Sequence, residues 1–79
     1  MKTRRIRILA FSAAKQWLPS GELTLEAEPS ESLIQIVART LPDLPSAAMR
    51  VALDQCYVSW DSPLGSGSEI AIIPPVSGG

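Results

Sequence analysis

The alternation of apolar and polar positions divides the chain into five strands and one helix. Residues 5–11 place Ile6, Ile8 and Ala10 on one side and Arg5, Arg7, Leu9 and Phe11 on the other, the two-residue period of a strand. Within the connection 15–21, Pro19, Ser20 and Gly21 predict a turn. Trp17 and Leu18 lie in that connection and are expected to fold back over the end of the core, with an exposed aromatic anchor as the alternative for Trp17. Leu23, Leu25 and Ala27 then alternate with Glu22, Thr24, Glu26 and Glu28 as a second, antiparallel strand. Pro29 breaks it, Ser30 is the expected helix N-cap, and Glu31 suits the positive end of the helix dipole. Leu33, Ile34, Val37 and Leu41 share one helical face, Arg39 suits the last turn, and Pro42 stops the helix after about three turns.

Beyond a loop over 42–47, residues 50–53 read as a third strand, Asp54, Gln55 and Cys56 as its turn, and 57–60 as a short fourth strand. Residues 61–64 turn again, and 65–68 deliver the chain to the last strand, 69–73. Pro74 and Pro75 cannot donate to a ladder, so this strand should end there and the chain leave the sheet extended. The order strand, strand, helix, strand, short strand, strand predicts an α+β architecture: a mixed sheet with one helix across one face, and the first and last strands parallel at its centre. Ile6, Ile8, Ala10, Leu23, Leu25, Val58, Trp60, Ile70 and Ile72 would then meet Leu33, Ile34, Val37 and Leu41 in one core. The same parity leaves Leu9, Phe11, Tyr57 and Ile73 on the face without a helix, an apolar patch expected to dock a partner.

Composition narrows the chemistry. Seventy-nine residues suffice for one modest core, burying roughly 60% of the unfolded surface. A net charge of −1 with both signs dispersed gives no reason to expect nucleic acid or a membrane as partner. Lys2, Arg4, Arg5 and Arg7 followed by apolar residues have the outline of a short secretory signal. Arg7 interrupts that run, however, and cleavage near Ala14 would remove the first strand, while no stretch approaches the roughly 20 apolar residues of a membrane span. A cytoplasmic protein is therefore expected. Histidine is absent and Cys56 is the one cysteine, so no Ser-His-Asp, Cys-His or zinc arrangement can be assembled and no bound metal or cofactor is expected. Cys56 reads as a small turn residue rather than a reactive thiol.

The chemistry that remains lies at residues 69–79. Glycine at 78 and 79 leaves no Cβ beside the Gly79 carboxylate, so an enzyme could close around the backbone and reach the carbonyl carbon. A bare diglycine is also what a frayed end looks like, and the context decides. Asp61, Ser62, Pro63, Leu64 and then Gly67, Ser68, Glu69, Ile70, Ala71, Ile72, Ile73, Pro74, Pro75, Val76, Ser77, Gly78, Gly79 resemble the C-terminal signature of MoaD-type proteins, the small subunits of molybdopterin synthase. That pattern is an aspartate, a proline and a leucine, a short glycine turn, an alternating strand, then Pro-Pro-Val-Ser/Thr-Gly-Gly. The chain departs from it at residues 42–49, shorter than in many members, and at Asp54, where asparagine is frequent.

The resemblance implies a β-grasp, ubiquitin-like domain over residues 1–74 and a flexible diglycine tail over 75–79. It further implies that an E1-like, MoeB-type activating enzyme uses ATP to adenylate the Gly79 carboxylate, and that a sulfur donor displaces AMP to leave a thiocarboxylate. The anionic, polarizable sulfur would attack the pterin precursor, cyclic pyranopterin monophosphate, to build the molybdopterin dithiolene. By the same resemblance this happens in a pocket of the MoaE-type large subunit, which holds the catalytic groups, so the chain is the non-catalytic sulfur-donating member of a heterotetramer. Phe11, Tyr57, Ile73, Pro74 and Pro75 would contact that subunit, with Val76 leading into a channel that takes Ser77, Gly78 and Gly79. A diglycine carrier for another pathway, such as thiamine thiazole formation, a ubiquitin-like modifier of lysines, and an interaction module with an incidental diglycine are the alternatives.

Overall fold

The computed structural model describes residues 2–75. Strands β1 (Arg4–Ala10), β2 (Glu22–Ala27), β3 (Arg50–Leu53), β4 (Cys56–Val58) and β5 (Glu69–Ile73) form one sheet in the order β2-β1-β5-β3-β4. β1 and β5 run parallel, with Ile8 opposite Ile70 and Ala10 opposite Ile72, and the other pairs are antiparallel. The mixed sheet and its central parallel pair are those the hydrophobic pattern predicts.

Helix α1 (Leu33–Thr40) begins two residues later than expected and has eight residues, a little over two turns rather than three. Ser32, not Ser30, is the N-cap: its hydroxyl accepts from the Gln35 N–H (3.3 Å), while the Gln35 side chain accepts from the Ser32 N–H (2.9 Å). Ser30 is displaced because the chain first turns tightly, the Glu31 N–H donating to the Glu28 carbonyl and the Glu28 N–H to the Glu31 carboxylate. The next helix donors, on Leu33 and Ile34, are taken by the carbonyls of Ser62 and Trp60, both 3.0 Å away. The later start also corrects the buried stripe. Leu33, Ile36 and Val37 are fully buried, at i, i+3, i+4 spacing, whereas Ile34, rotated by about 100° from Leu33, is half-buried.

The strand expected over 57–60 is shifted as well, to Cys56–Val58, which puts Cys56 on the strand rather than in the turn. Residues 59 and 60 leave the sheet because Trp60 is engaged twice elsewhere, its carbonyl by α1 and its indole N–H by the Met49 carbonyl (3.1 Å). Two short 3-10 helices, Ser12–Gln16 and Ser46–Ala48, occupy stretches expected to be loop or turn. They place Ala14, Leu18, Leu44 and Met49 in the core, and Trp17 packs half-buried against its edge.

Ile6, Ile8, Ala10, Ile70, Ile72, Leu33 and Val37 are buried as predicted, joined by Ile36, Ala27, Val51 and Leu64. Leu23, Leu25, Leu41, Val58 and Trp60 are partly buried around them. Gly67 lies so close to β3 that an added Cβ would sit 2.5 Å from the Leu53 side chain, which explains a glycine at the entry to β5. Among the described residues no helix is long and apolar enough to cross a membrane.

Candidate partner-docking site

The outer face of the sheet, away from α1, carries the candidate site. Register alone assembles its centre: Leu9 is opposite Ala71, Ala71 opposite Ala52, and Ala52 opposite Tyr57, one row crossing four strands. The two alanines keep the middle of that row low between Leu9 and Tyr57. Phe11, at the end of β1, and Ile73, the last residue of β5, complete a groove of about 490 Å³ also lined by Gln55 and Glu69. Phe11 is 47% and Tyr57 65% exposed, the two large apolar side chains that most clearly face solvent among the described residues. The Arg50 guanidinium stands 5.9 Å from the centre of the Tyr57 ring, within range of a cation–π contact.

The groove ends where the sheet does. Arg50 and Ile73 form the last β3–β5 pair, β5 stops there, and Pro74 and Pro75 follow outside any strand, as two residues lacking N–H groups dictate. Thus Phe11, Tyr57 and Ile73 come together, joined by Leu9, with half-buried Pro74 and exposed Pro75 next along the chain. Val76, Ser77, Gly78 and Gly79 lie outside the described residues. Ala52, Ala71, Gln55 and Glu69 line the groove without having been singled out from the sequence. Alanine carries little periodic contrast, and only the cross-strand register, which pattern reading does not supply, would have found them.

The other end of the same face is charged. Arg7 reaches Glu22 on β2 (3.2 Å) and Glu69 on β5 (2.6 Å), and Arg5 faces Glu26 at 3.7 Å. A polar hollow bounded by Arg7, Asp54, Gln55, Ser68 and Glu69 adjoins the apolar groove, with Gln55 and Glu69 common to both. Among the described residues no three His, Cys, Asp or Glu side chains cluster so as to hold a metal ion, and Cys56 is a free, exposed thiol outside the groove lining. What this arrangement offers is an exposed apolar groove beside a charged hollow.

Comparison with known proteins bears on what covers it. The ThiS family model matches residues 11–79. The molybdopterin synthase sulfur carrier subunit of Dictyostelium discoideum is 33% identical over 85 residues, covering 98% of this chain and 99% of that protein. Among solved structures, SAMP1 from Haloferax volcanii aligns with a TM-score of 0.76 at 17% identity, over 96% of this chain and 100% of its own. Ubiquitin of Caldiarchaeum subterraneum aligns with a TM-score of 0.68 at 16% identity, over 99% and 100%. These two likenesses speak for the fold alone, which is the ubiquitin-like β-grasp. With a family model spanning residues 11–79 and a relative at one-third identity over nearly its whole length, the chain belongs to the ThiS family of ubiquitin-like sulfur carriers, on its MoaD-type side.

Proposed function

We propose that this chain is the sulfur carrier subunit of a molybdopterin synthase, and that the Gly79 carboxylate is the group that is loaded. The observation that carries this reading is the apolar groove of Leu9, Phe11, Tyr57 and Ile73, which ends at the point where β5 gives way to Pro74. A face that gains by being covered lies at the root of the residues that would carry sulfur. The likeness to the Dictyostelium discoideum carrier subunit supports the choice of pathway.

In this reading the Gly79 carboxylate attacks the α-phosphorus of ATP on an E1-like activating enzyme, pyrophosphate leaves, and an acyl adenylate forms. The step is needed because a carboxylate's charge repels nucleophiles, whereas AMP is a good leaving group. A donor supplying sulfur at the oxidation level of sulfide attacks the acyl carbon, AMP departs with the C–O electron pair, and a thiocarboxylate remains. Docked through the groove on the large synthase subunit, the thiocarboxylate sulfur adds to a carbonyl carbon of the pterin precursor, the C=O π pair moving to the oxygen, which then leaves as water. Water then cleaves the acyl–sulfur bond and returns the carboxylate for another round. Acid and base groups belong to the partners, consistent with a chain that contains no histidine. The β-grasp domain would end at residue 74, and residues 75–79 would serve as the reactive tail.

The test is intact mass after incubation with the activating enzyme, ATP and a sulfur donor. Exchange of one oxygen for sulfur at the C-terminal residue is expected, and Cys56→Ser should load equally well. Deletion of Gly79, or one appended residue, should abolish loading without unfolding the domain. A wild-type mass that never changes would end the reading.

A second reading, a ubiquitin-like protein modifier, is favoured by the fold shared with the small archaeal modifier protein SAMP1. It would use the same activation but pass the acyl group to a lysine amine. Stable isopeptide conjugates recovered from the native host would select it.

A further inference from the structure

The β3–β4 turn is where the polar hollow and the apolar groove meet, and it is held in an unusual way. Asp54 and Gln55, its two central residues, both have positive φ, 49° and 71°, although neither is glycine. Such a turn needs a reason to persist, because left-handed backbone is costly for a residue with a Cβ. The reason is a three-point attachment to the start of β5. The Asp54 N–H donates to the Glu69 carbonyl (2.9 Å), and Asp54 Oδ1 accepts from the N–H groups of both Ser68 (3.1 Å) and Glu69 (3.0 Å). The last β3–β5 pair at this end is Leu53 with Ile70, so the Asp54 side chain carries the attachment beyond the ladder, with a charged acceptor serving two donors.

Two groove residues follow that attachment along the chain. Gln55 is the next residue in the turn, and Tyr57 follows on β4, a three-residue edge strand paired only with β3. An edge strand this short has few backbone bonds of its own to hold it. Tyr57 is mostly exposed, so packing does not hold its position either.

We infer that Asp54 is a positioning residue for docking: its carboxylate fastens the β3–β4 turn to β5 and so holds Gln55 and Tyr57 in the arrangement the large synthase subunit meets. This rests on the docking role proposed for the groove. A surface held in its bound arrangement loses less freedom on association, which appears as affinity.

Two variants separate the carboxylate from the backbone. Asp54→Gly keeps the positive φ accessible but removes the acceptor, whereas Asp54→Asn keeps an Oδ1 acceptor and tolerates the same φ. In the free protein, Asp54→Gly should speed amide hydrogen exchange at Ser68 and Glu69 and shrink the ring-current shifts that Tyr57 imposes on Arg50, while Asp54→Asn should leave both near wild type. Against the purified large subunit, Asp54→Gly should weaken binding about fivefold with the domain still folded, and Asp54→Asn should restore it. Faster exchange in Asp54→Gly with unchanged Arg50 shifts and unchanged affinity would overturn the inference, leaving Asp54 a mere loop fastener. If wild-type protein did not bind the large subunit at all, the docking reading would fall and take the docking role of Asp54 with it. The Arg50 shifts would still report in that case whether Asp54 holds Tyr57, so the two failures are told apart.

Discussion

The two faces of this sheet are made by the same strands and follow opposite rules. Facing α1, β1 and β5 present Ile6, Ile8, Ala10, Ile70 and Ile72, all at most 3% exposed. Facing away, the same strands present a row that changes character along its length. Arg5, Arg7 and Glu69 stand at one end, and Leu9, Ala71 and Ile73 at the other. At the charged end, Arg7 is shared between Glu22 and Glu69, which is how a solvated sheet face ordinarily satisfies itself. At the apolar end, among the described residues, Phe11 and Tyr57 stay largely exposed, Tyr57 with only the Arg50 guanidinium over its ring. One face stabilises the fold, and half of the other is kept at some cost in exposed apolar surface, a cost that makes sense if a partner removes it.

The sharpest way to break the comparison is to make equivalent changes on the two sides of β5. Ile70→Ala empties a fully buried position and should cost about 3 kcal/mol of stability, read from the urea midpoint at constant slope. Binding to the large subunit by the molecules that remain folded should be nearly unchanged. A loss of affinity with no loss of stability would show that the covered face, not the bare one, makes the contact.

Ile73→Arg asks the reverse. Ile73 is half-buried at the edge of the groove, and a guanidinium there would have to be desolvated against an apolar partner. Stability should move by less than about 0.5 kcal/mol, while affinity for the large subunit, measured by calorimetry, should fall by about tenfold or more. Unchanged binding would remove the groove from the interface. At the charged end, Arg7→Ala loses two partly exposed ion pairs and should cost less than about 1 kcal/mol, with a smaller penalty in high salt. A penalty as large as that of Ile70→Ala would mean that the charged row is structural in its own right.

The same contrast explains what was legible in the sequence. Alternation resolves β1, β2 and β5 because each has a wet and a dry side, and the bounds of β3 and β5 are those expected, 50–53 and 69–73. Phe11, Tyr57 and Ile73 were legible for the same reason, as large apolar residues on the wrong parity for the core. What escaped depends on contacts made across distance. Ser30 and Ser32 are equally good caps locally, and the choice of Ser32 is made by the capping box with Gln35 and by the 59–65 segment, whose carbonyls take the first helix donors. Ile36 entered the core by that shift in phase. The 3-10 helix over Ser12–Gln16 is Ser-Ala-Ala-Lys-Gln, with no period to read, yet it buries Ala14 completely. The floor of the groove was hidden because Ala52 and Ala71 acquire meaning only once β3 and β5 are paired.

The smallest expected effect lies on the helix side, where a charge pair serves the fold. Arg39 donates from Nε and Nη2 to the two Glu31 oxygens, each at 2.9 Å, and from Nη2 to the Glu26 carbonyl at 3.0 Å, tying the last turn of α1 to β2. These Arg39 hydrogen bonds, and after them the Glu28 N–H, hold the Glu31 carboxyl below its ordinary value of 4.5. A carboxyl lowered in the folded state stabilises it fully above the unfolded-state pKa, and that contribution disappears as pH falls through the folded value. Wild type should therefore exceed Glu31→Gln in stability by less than about 1 kcal/mol at neutral pH, the pair being partly solvated, and the gap should close on acidification below about pH 4.5. Urea midpoints of both proteins at pH 7 and pH 3 measure it. A gap that does not narrow at all between pH 7 and pH 3 would mean that Glu31 acts through packing or its neutral hydrogen bonds. A gap that narrows would show that the covered side of the sheet also uses charge, with Glu31 answered by Arg39 from within the chain, whereas among the described residues Phe11 and Tyr57 remain largely exposed.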